Sequence, residues 1–325
     1  MTNLFIVIAV AFVAAAISGL FLIPFLHRLK FGQEIREEGP AWHKKKSGTP
    51  TMGGFIFIIA TAIAAVVGLF IAGLNEYSED VSALIAMFTA ALGFGAIGFL
   101  DDYIKVILKR NLGLRAGQKF SLQFLVALIF SVWLVVCGLV DTKVMIPFTG
   151  IFVDLGYVIY IPFIVLVMLA AVNSVNLTDG LDGLAGFITL FVSIFYLIVS
   201  NIQGATPVSV FAAALIGGIL GFLIYNKFPA KVFMGDTGSL FLGGAISAMA
   251  IFMKNPLVLL IVGFVYVAEA LSVIIQVAYF KKTGKRIFKM SPIHHHFEMC
   301  GWSERKVVAA FSAVTIILCI ISFWA

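Results

Sequence analysis

The chain has 325 residues, of which 62% are hydrophobic and only 12% charged, with a formal net charge of +6 and a mean hydropathy of +1.10. A water-soluble domain is about half apolar and about a quarter charged, so the composition excludes an ordinary globular protein and an undivided basic surface for nucleic acid. Three cysteines, Cys137, Cys300 and Cys319, show no metal-ligand spacing, which speaks against a zinc site or a disulfide framework.

The apolar residues come in runs of membrane-spanning length, which takes roughly 20 residues. Such runs lie at about 3–23, 53–73, 83–100, 120–140, 158–175, 184–200, 208–224, 239–253, 257–280 and 307–324. They predict an all-α polytopic protein of ten helices, because in lipid a spanning chain must satisfy its own backbone. The first run has no basic leader or convincing cleavage site and is expected to be retained. Between the fourth and fifth runs, "KVMIPFTGIFVDL" alternates weakly around Thr149 and Gly150, predicting a small hairpin near 143–155. No internal repeat and no soluble domain interrupts the pattern, so residues 1–325 are read as a single membrane domain. Of the 22 Lys and Arg residues, 20 fall in odd-numbered connections. Basic loops stay cytoplasmic, so the odd connections are expected inside and both termini outside. Topology thus explains most of the positive charge. Some of it is also suited to anionic headgroups or a phosphorylated substrate.

Five polar motifs all fall in odd-numbered connections. Chance would put about half of them on the other face, so one composite site at the cytoplasmic face is the simpler account. In "KKKSGTPTMGG", topology explains Lys44, Lys45 and Lys46; the turn holding Thr51 either binds a ligand or starts the second span. "GFLDDYIK" sets Asp101 beside Asp102, with Lys105 one helical turn on as a natural partner. Solvated carboxylates at a helix end are ordinary, but two adjacent ones repel, and a divalent cation or a phosphate proton relieves that. Successive helical residues point about 100° apart, so the pair is expected to divide metal and proton duties.

Asn173, Asn176, Asp179 and Asp182 stand at strict intervals of three. A straight helix would send the first and last to opposite sides, so a break at Gly180 and Gly183 is expected, wrapping the backbone around something small and polar. A capping role accounts for one of the four. In "FMGDTGSLFLG", Asp236 is either a cap or, between close-approaching glycines, a ligand for Mg²⁺, which takes hard oxygen donors. "SPIHHHFE" holds His294, His295 and His296, which on a helix cannot all face one ion; amid Lys281, Lys282, Lys285, Arg286 and Lys289 they suit an anion. Glu269 inside the ninth span is expensive in lipid and so a functional candidate, and Gln276 lies two turns on along the same face; a structural partnership within the bundle is the equal alternative for either. A phosphate ester beside a lipid meets these demands, which predicts a Mg²⁺-dependent phosphotransferase acting on a nucleotide-activated group and a lipid phosphate. A cation-coupled transporter would instead place such carboxylates near the membrane midplane, between repeats.

Taken in order, these five motifs resemble the bacterial phospho-N-acetylmuramoyl-pentapeptide-transferases, a branch of the polyprenyl-phosphate N-acetylhexosamine-1-phosphate transferases, and the match spans nearly the whole chain. The resemblance implies a homodimer in the bacterial plasma membrane with ten spans and outward termini. It implies that UDP-N-acetylmuramoyl-pentapeptide and undecaprenyl phosphate give lipid I and UMP, the first membrane step of peptidoglycan synthesis, with Mg²⁺ required. It assigns Asp236 to the metal and makes Asp101 and Asp102 an essential pair, one of them a base on the lipid phosphate or, in another scheme, a covalent nucleophile. It sets Asn176, Asp179, Asp182, Asn226 and Phe233 around the nucleoside, with Phe233 stacking on uracil. Lys105 and Lys119 become phosphate-facing, and His294, His295 and His296 an essential cluster. Transferases of other UDP-N-acetylhexosamines share the Asp motifs; "SPIHHHFE" is what resembles the muramoyl-pentapeptide branch.

Overall fold

The computed structural model describes residues 2–29, 46, 48–71, 79–107 and 113–325. In chain order these form α1 (Thr2–Arg28), α2 (Gly54–Ile71), α3 (Glu79–Ile107), α4 (Ala116–Val136), β1 (Lys143–Ile146), β2 (Ile151–Asp154), α5 (Gly156–Thr178), α6 (Leu184–Ile202), α7 (Thr206–Asn226), α8 (Gly235–Phe252), α9 (Leu259–Val262), α10 (Phe264–Thr283), α11 (Ile293–Met299) and α12 (Glu304–Ile321). Ten of the described helices, all but α9 and α11, are long and apolar enough to cross a membrane, so the chain is a multi-pass membrane protein.

Burial ranks these helices. The spans of α7 and α8 are 83% buried, against 22% for α1 and 28% for α4, α10 and α12. The bundle therefore has two enclosed helices, α8 packed by α3 and α5, and α7 packed by α1, α2 and α6. Small residues in "GDTGSLFLGGAISAMA" explain the position of α8, because helices in lipid gain most from close backbone approach.

Alternating passes bring the last turns of α3, α5, α7 and α10 to the same end as the first turns of α4, α6, α8 and α12. The hairpin lies at the opposite end, joining α4 to α5. Its strands pair antiparallel from Lys143 with Asp154 to Ile146 with Ile151, across a turn at Thr149 and Gly150. Met145 N–H donates to the Lys254 carbonyl at 2.8 Å, tying the hairpin to the end of α8. Asp154 accepts hydrogen bonds from the Thr142 hydroxyl and from Gly156 N–H, which hold its carboxyl below the usual range.

The structure corrects the sequence reading in two ways. Asp101, Asp102, Asn176 and Asp236, expected in the connections, stand on the last or first turns of spanning helices. Hydropathy registers only the apolar middle of a span, whereas hydrogen bonding carries the helix on for one or two polar turns. The ninth span begins at Phe264, not near 257, because α9 and the turn at Gly263 interrupt the apolar run. The expected break after α5 is present: the helix ends at Thr178, and Gly183 has φ +80°.

Candidate active site

Three helix ends converge on Asp236. It sits in the first turn of α8, and its Oδ2 meets the Lys105 ammonium from α3 at 2.9 Å and the Lys119 ammonium from α4 at 2.7 Å. Its Oδ1 accepts from Asn176 Nδ2 of α5 at 2.8 Å, and the same amide group donates to Ser239 Oγ at 2.8 Å. The approach of α3 depends on Gly98: a Cβ there would lie 2.0 Å from the Asp236 carbonyl oxygen, so any side chain would push the helices apart.

The adjacent pair divides as its 100° offset requires. Asp101 accepts from Leu114 N–H at 2.8 Å and pairs with Lys105 at 2.5 Å. Asp102, 3% exposed, turns to the start of α8, where it accepts from Asp236 N–H at 3.2 Å, Thr237 N–H at 2.9 Å and the Thr237 hydroxyl at 2.7 Å. It is an N-cap supplied from another helix, satisfying donors that α8 cannot satisfy itself. Carboxylate oxygens of Asp101, Asp102 and Asp236 nevertheless lie within 4.8 Å of one another. Three hard oxygen donors gathered so closely fit Mg²⁺, and two lysines held against them show how much positive charge the cluster draws.

A second cluster lies alongside. Lys46 reaches Asp182 Oδ1 and Glu304 Oε1, both at 2.6 Å; Glu304 Oε1 also accepts from Asp182 N–H at 2.6 Å, and Asp182 Oδ2 from Ala230 N–H at 2.9 Å. Asn226 accepts from Gly183 N–H at 3.1 Å and donates to the Val232 carbonyl at 2.9 Å, so it braces this turn. Asp179 ends α5, half-buried. Burial first, then the charges of Asp236, Asp102 and Asp182, push its carboxyl well above the ordinary range.

The turn containing Thr51, which topology left unexplained, is a partner for the Asp236 segment. Phe233 N–H donates to the Pro50 carbonyl at 2.8 Å, Gly53 N–H to Phe233 O at 2.8 Å and Gly54 N–H to Met234 O at 3.0 Å. Thr51 is buried and Phe233 half-buried. Lys44 and Lys45 lie outside the described residues.

The three histidines have separate surroundings. His294 is fully buried, with Nδ1 3.1 Å from Glu269 Oε2. Its ring lies on Gly180, where a Cβ would fall 2.2 Å from Nε2. His295 Nδ1 lies 2.8 Å from Glu298 Oε2, and His296 Nδ1 accepts from Lys289 N–H at 3.1 Å. Two other candidates act at a distance. Gln276 accepts from Ile287 and Phe288 N–H and donates to the Phe288 carbonyl, all at 3.0 Å, fastening the loop before α11. Asn173 donates to Gln123 Oε1 at 2.9 Å and to the Leu169 carbonyl at 2.8 Å, away from Asp236. Sequence reasoning missed Glu304 and Thr237. Glu304 follows Ser303 at a helix start and reads as an ordinary acid in a first turn.

This convergence of carboxylates, lysines and amides at one end of a bundle defines a membrane enzyme for phosphorylated substrates. In keeping with that class, residues 84–254, which carry all three clustered aspartates, match the model of glycosyl transferase family 4. Residues 46–58, the turn that pairs with the Asp236 segment, match phospho-N-acetylmuramoyl-pentapeptide-transferase signature 1. The phospho-N-acetylmuramoyl-pentapeptide-transferase of Clostridium kluyveri is 52% identical over 97% of this chain and 97% of its own length. That of Clostridium botulinum is 51% identical over 96% and 93%, and that of Caldanaerobacter subterraneus subsp. tengcongensis 50% over 97% and 96%. The chain belongs to the phospho-N-acetylmuramoyl-pentapeptide-transferase family.

Proposed function

We propose that this chain transfers phospho-N-acetylmuramoyl-pentapeptide from UDP-N-acetylmuramoyl-pentapeptide to undecaprenyl phosphate, forming lipid I and releasing UMP. The observation that carries the chemistry is the meeting of Asp101, Asp102, Asp236, Lys105 and Lys119 at one bundle end. Phosphoryl transfer asks for positioning and charge neutralisation and little covalent work from the protein. An oxygen of the lipid phosphate forms the new bond to the sugar-bearing phosphorus; the bond to the bridging oxygen breaks, and that oxygen leaves with UMP.

Lys105 and Lys119 supply cations for the diphosphate, and Asn176 holds Asp236 in place. Asp101, whose partners Lys105 and Leu114 N–H sit at the rim of the cluster, is the better-placed acceptor for the lipid phosphate proton. Asp102 keeps the α8 start, and with it Asp236, in register. Mg²⁺, held by Asp236 with help from the two neighbouring carboxylates, would neutralise charge developing on the phosphate oxygens. Lys46, Thr51, Asp179, Asp182, Asn226 and Phe233 form the nucleoside end, and the three histidines with Glu269 stand beside the turn after α5, where His294 lies on Gly180. The reading includes a homodimer in the bacterial plasma membrane with the site in the cytoplasm; the concentration of basic residues at the site end supports that orientation.

The test is to incubate purified protein with undecaprenyl phosphate, Mg²⁺ and, in turn, UDP-N-acetylmuramoyl-pentapeptide and UDP-N-acetylglucosamine, following UMP. Release from the first alone, abolished by Asp236→Asn in a folded protein, is expected. Release from UDP-N-acetylglucosamine alone would move the chain to another donor.

A further inference from the structure

A groove of about 380 Å³ opens between the first turns of α6 and α12, outside the carboxylate cluster. Its walls are apolar, with Phe187 and Phe191 on α6 facing Val308 and Ala309 on α12. Its rim is cationic, formed by Lys227 at the end of α7 and Arg305 at the start of α12. Arg305 lies over the Phe228 ring at 4.9 Å from its centre, which fixes the guanidinium at the rim without neutralising it.

Among the described residues, neither Lys227 nor Arg305 has a carboxylate partner. Asp182, the one acid among the described rim residues, has both oxygens engaged, by Lys46 and by Ala230 N–H. Glu304, beside Arg305, is likewise spent on Lys46. The positive ends of two helices add to the same field. The rim is therefore a place for an anion, held by two cations that no described carboxylate neutralises.

The apolar walls decide which anion. They occupy the first turns of two membrane-spanning helices, and from Arg305 to Ser312 the groove runs about 10 Å along α12, toward the middle of the span. A soluble phosphate would use the rim and leave the aromatic walls wet. An anionic glycerophospholipid fills both, with its phosphate on Lys227 and Arg305 and its first acyl segment against Phe187, Phe191, Val308 and Ala309. The lipid substrate is a poorer occupant, because Lys105 and Lys119, the cations at the reacting carboxylates, do not line this groove.

We propose that this groove is a binding site for an anionic membrane phospholipid, separate from the acceptor site, which fastens the start of α12. Glu304 then stands between two anchors, the lipid at Arg305 and the Lys46–Asp182 pair. The proposal reads binding, so it stands or falls independently of the transferase reaction.

The test uses the full-length protein in nanodiscs of phosphatidylcholine with phosphatidylglycerol, released for native mass spectrometry. Wild type should retain one phosphatidylglycerol per chain in preference to phosphatidylcholine. Arg305→Gln with Lys227→Gln should lower that preference about 30-fold, from roughly 1 kcal/mol per basic residue at the membrane surface. Ala309→Trp, which fills the apolar part and keeps the charge, should lose the lipid as well. Excess glycerol phosphate should displace nothing; displacement would assign the rim to a soluble anion and overturn the proposal. Equal retention by wild type and the double variant would also overturn it. So would a shift between monomer and dimer in the double variant without loss of lipid, which would make the groove a face between two copies.

Discussion

Replacing Asp102 by Ala should destabilise the protein far more than replacing its neighbour Asp101, although both changes should stop turnover. Asp102 is 3% exposed and accepts from three donors at the start of α8: Asp236 N–H, Thr237 N–H and the Thr237 hydroxyl. A buried donor left without a partner costs about 1–3 kcal/mol. Three of them, offset in part because a carboxylate no longer has to be buried, come to about 4 kcal/mol. Asp101 is as buried, but Lys105 keeps Asp236 when Asp101 is lost, and Leu114 N–H sits where water can replace the carboxylate. That loss is one part-buried donor without its partner, about 1 kcal/mol.

At roughly 2 °C per kcal/mol for a chain of this size, Asp102→Ala should lower Tm by about 8 °C and Asp101→Ala by about 2 °C. The chain offers its own reporter. Cys137 and Cys300 are exposed and Cys319 is buried. With the first two changed to Ser, a thiol-reactive fluorophore in detergent reports only the exposure of Cys319. If Asp101→Ala melts as early as Asp102→Ala, the capping argument is wrong.

Two further outcomes follow from the same geometry. Asp179 has a folded-state carboxyl raised above its usual value of 3.8, so it opposes folding once ionised: the ligand-free wild type loses stability as pH rises from about 4 through that raised value. Asp179→Asn should therefore raise Tm at pH 7 and lose the advantage below about pH 4; a gain that does not change with pH would point to packing instead. In intact cells, a membrane-impermeant thiol reagent should label Cys137, at the hairpin end, and spare Cys300, at the site end; the reverse pattern would invert the orientation.

The spans could be read from the sequence because each apolar stretch had to be long enough to cross lipid, and the hairpin because Thr149 and Gly150 punctuate an alternating segment. The gathering of the aspartates was legible only as a matter of face, since odd connections had to meet at one end. Which carboxylate touched what was not legible. Adjacent residues on a helix have identical local patterns, and only the arrival of α8 separates Asp101 from Asp102. Glu304 was hidden for a related reason: an acid after Ser303 looks like a helix start, and nothing local shows that Lys46 comes to meet it. The Thr51 turn pairs through backbone atoms, to which side-chain patterns are blind.

The burial order of the helices bears on how the protein is made. α8 carries Asp236 and is among the most deeply buried spans, yet its mean hydropathy is 1.2, against 2.9 for α1. A membrane-insertion machine that judges each segment by its affinity for lipid would accept α1 readily and find α8 marginal. The helices that must receive it, α2, α3, α5 and α6, all precede it in the chain. Biogenesis can therefore be vectorial, with α8 leaving the insertion channel for a waiting protein slot rather than for lipid. Mutations that loosen the slot, such as a side chain at Gly98, would then be felt first as failed insertion and lower yield, before any turnover could be measured.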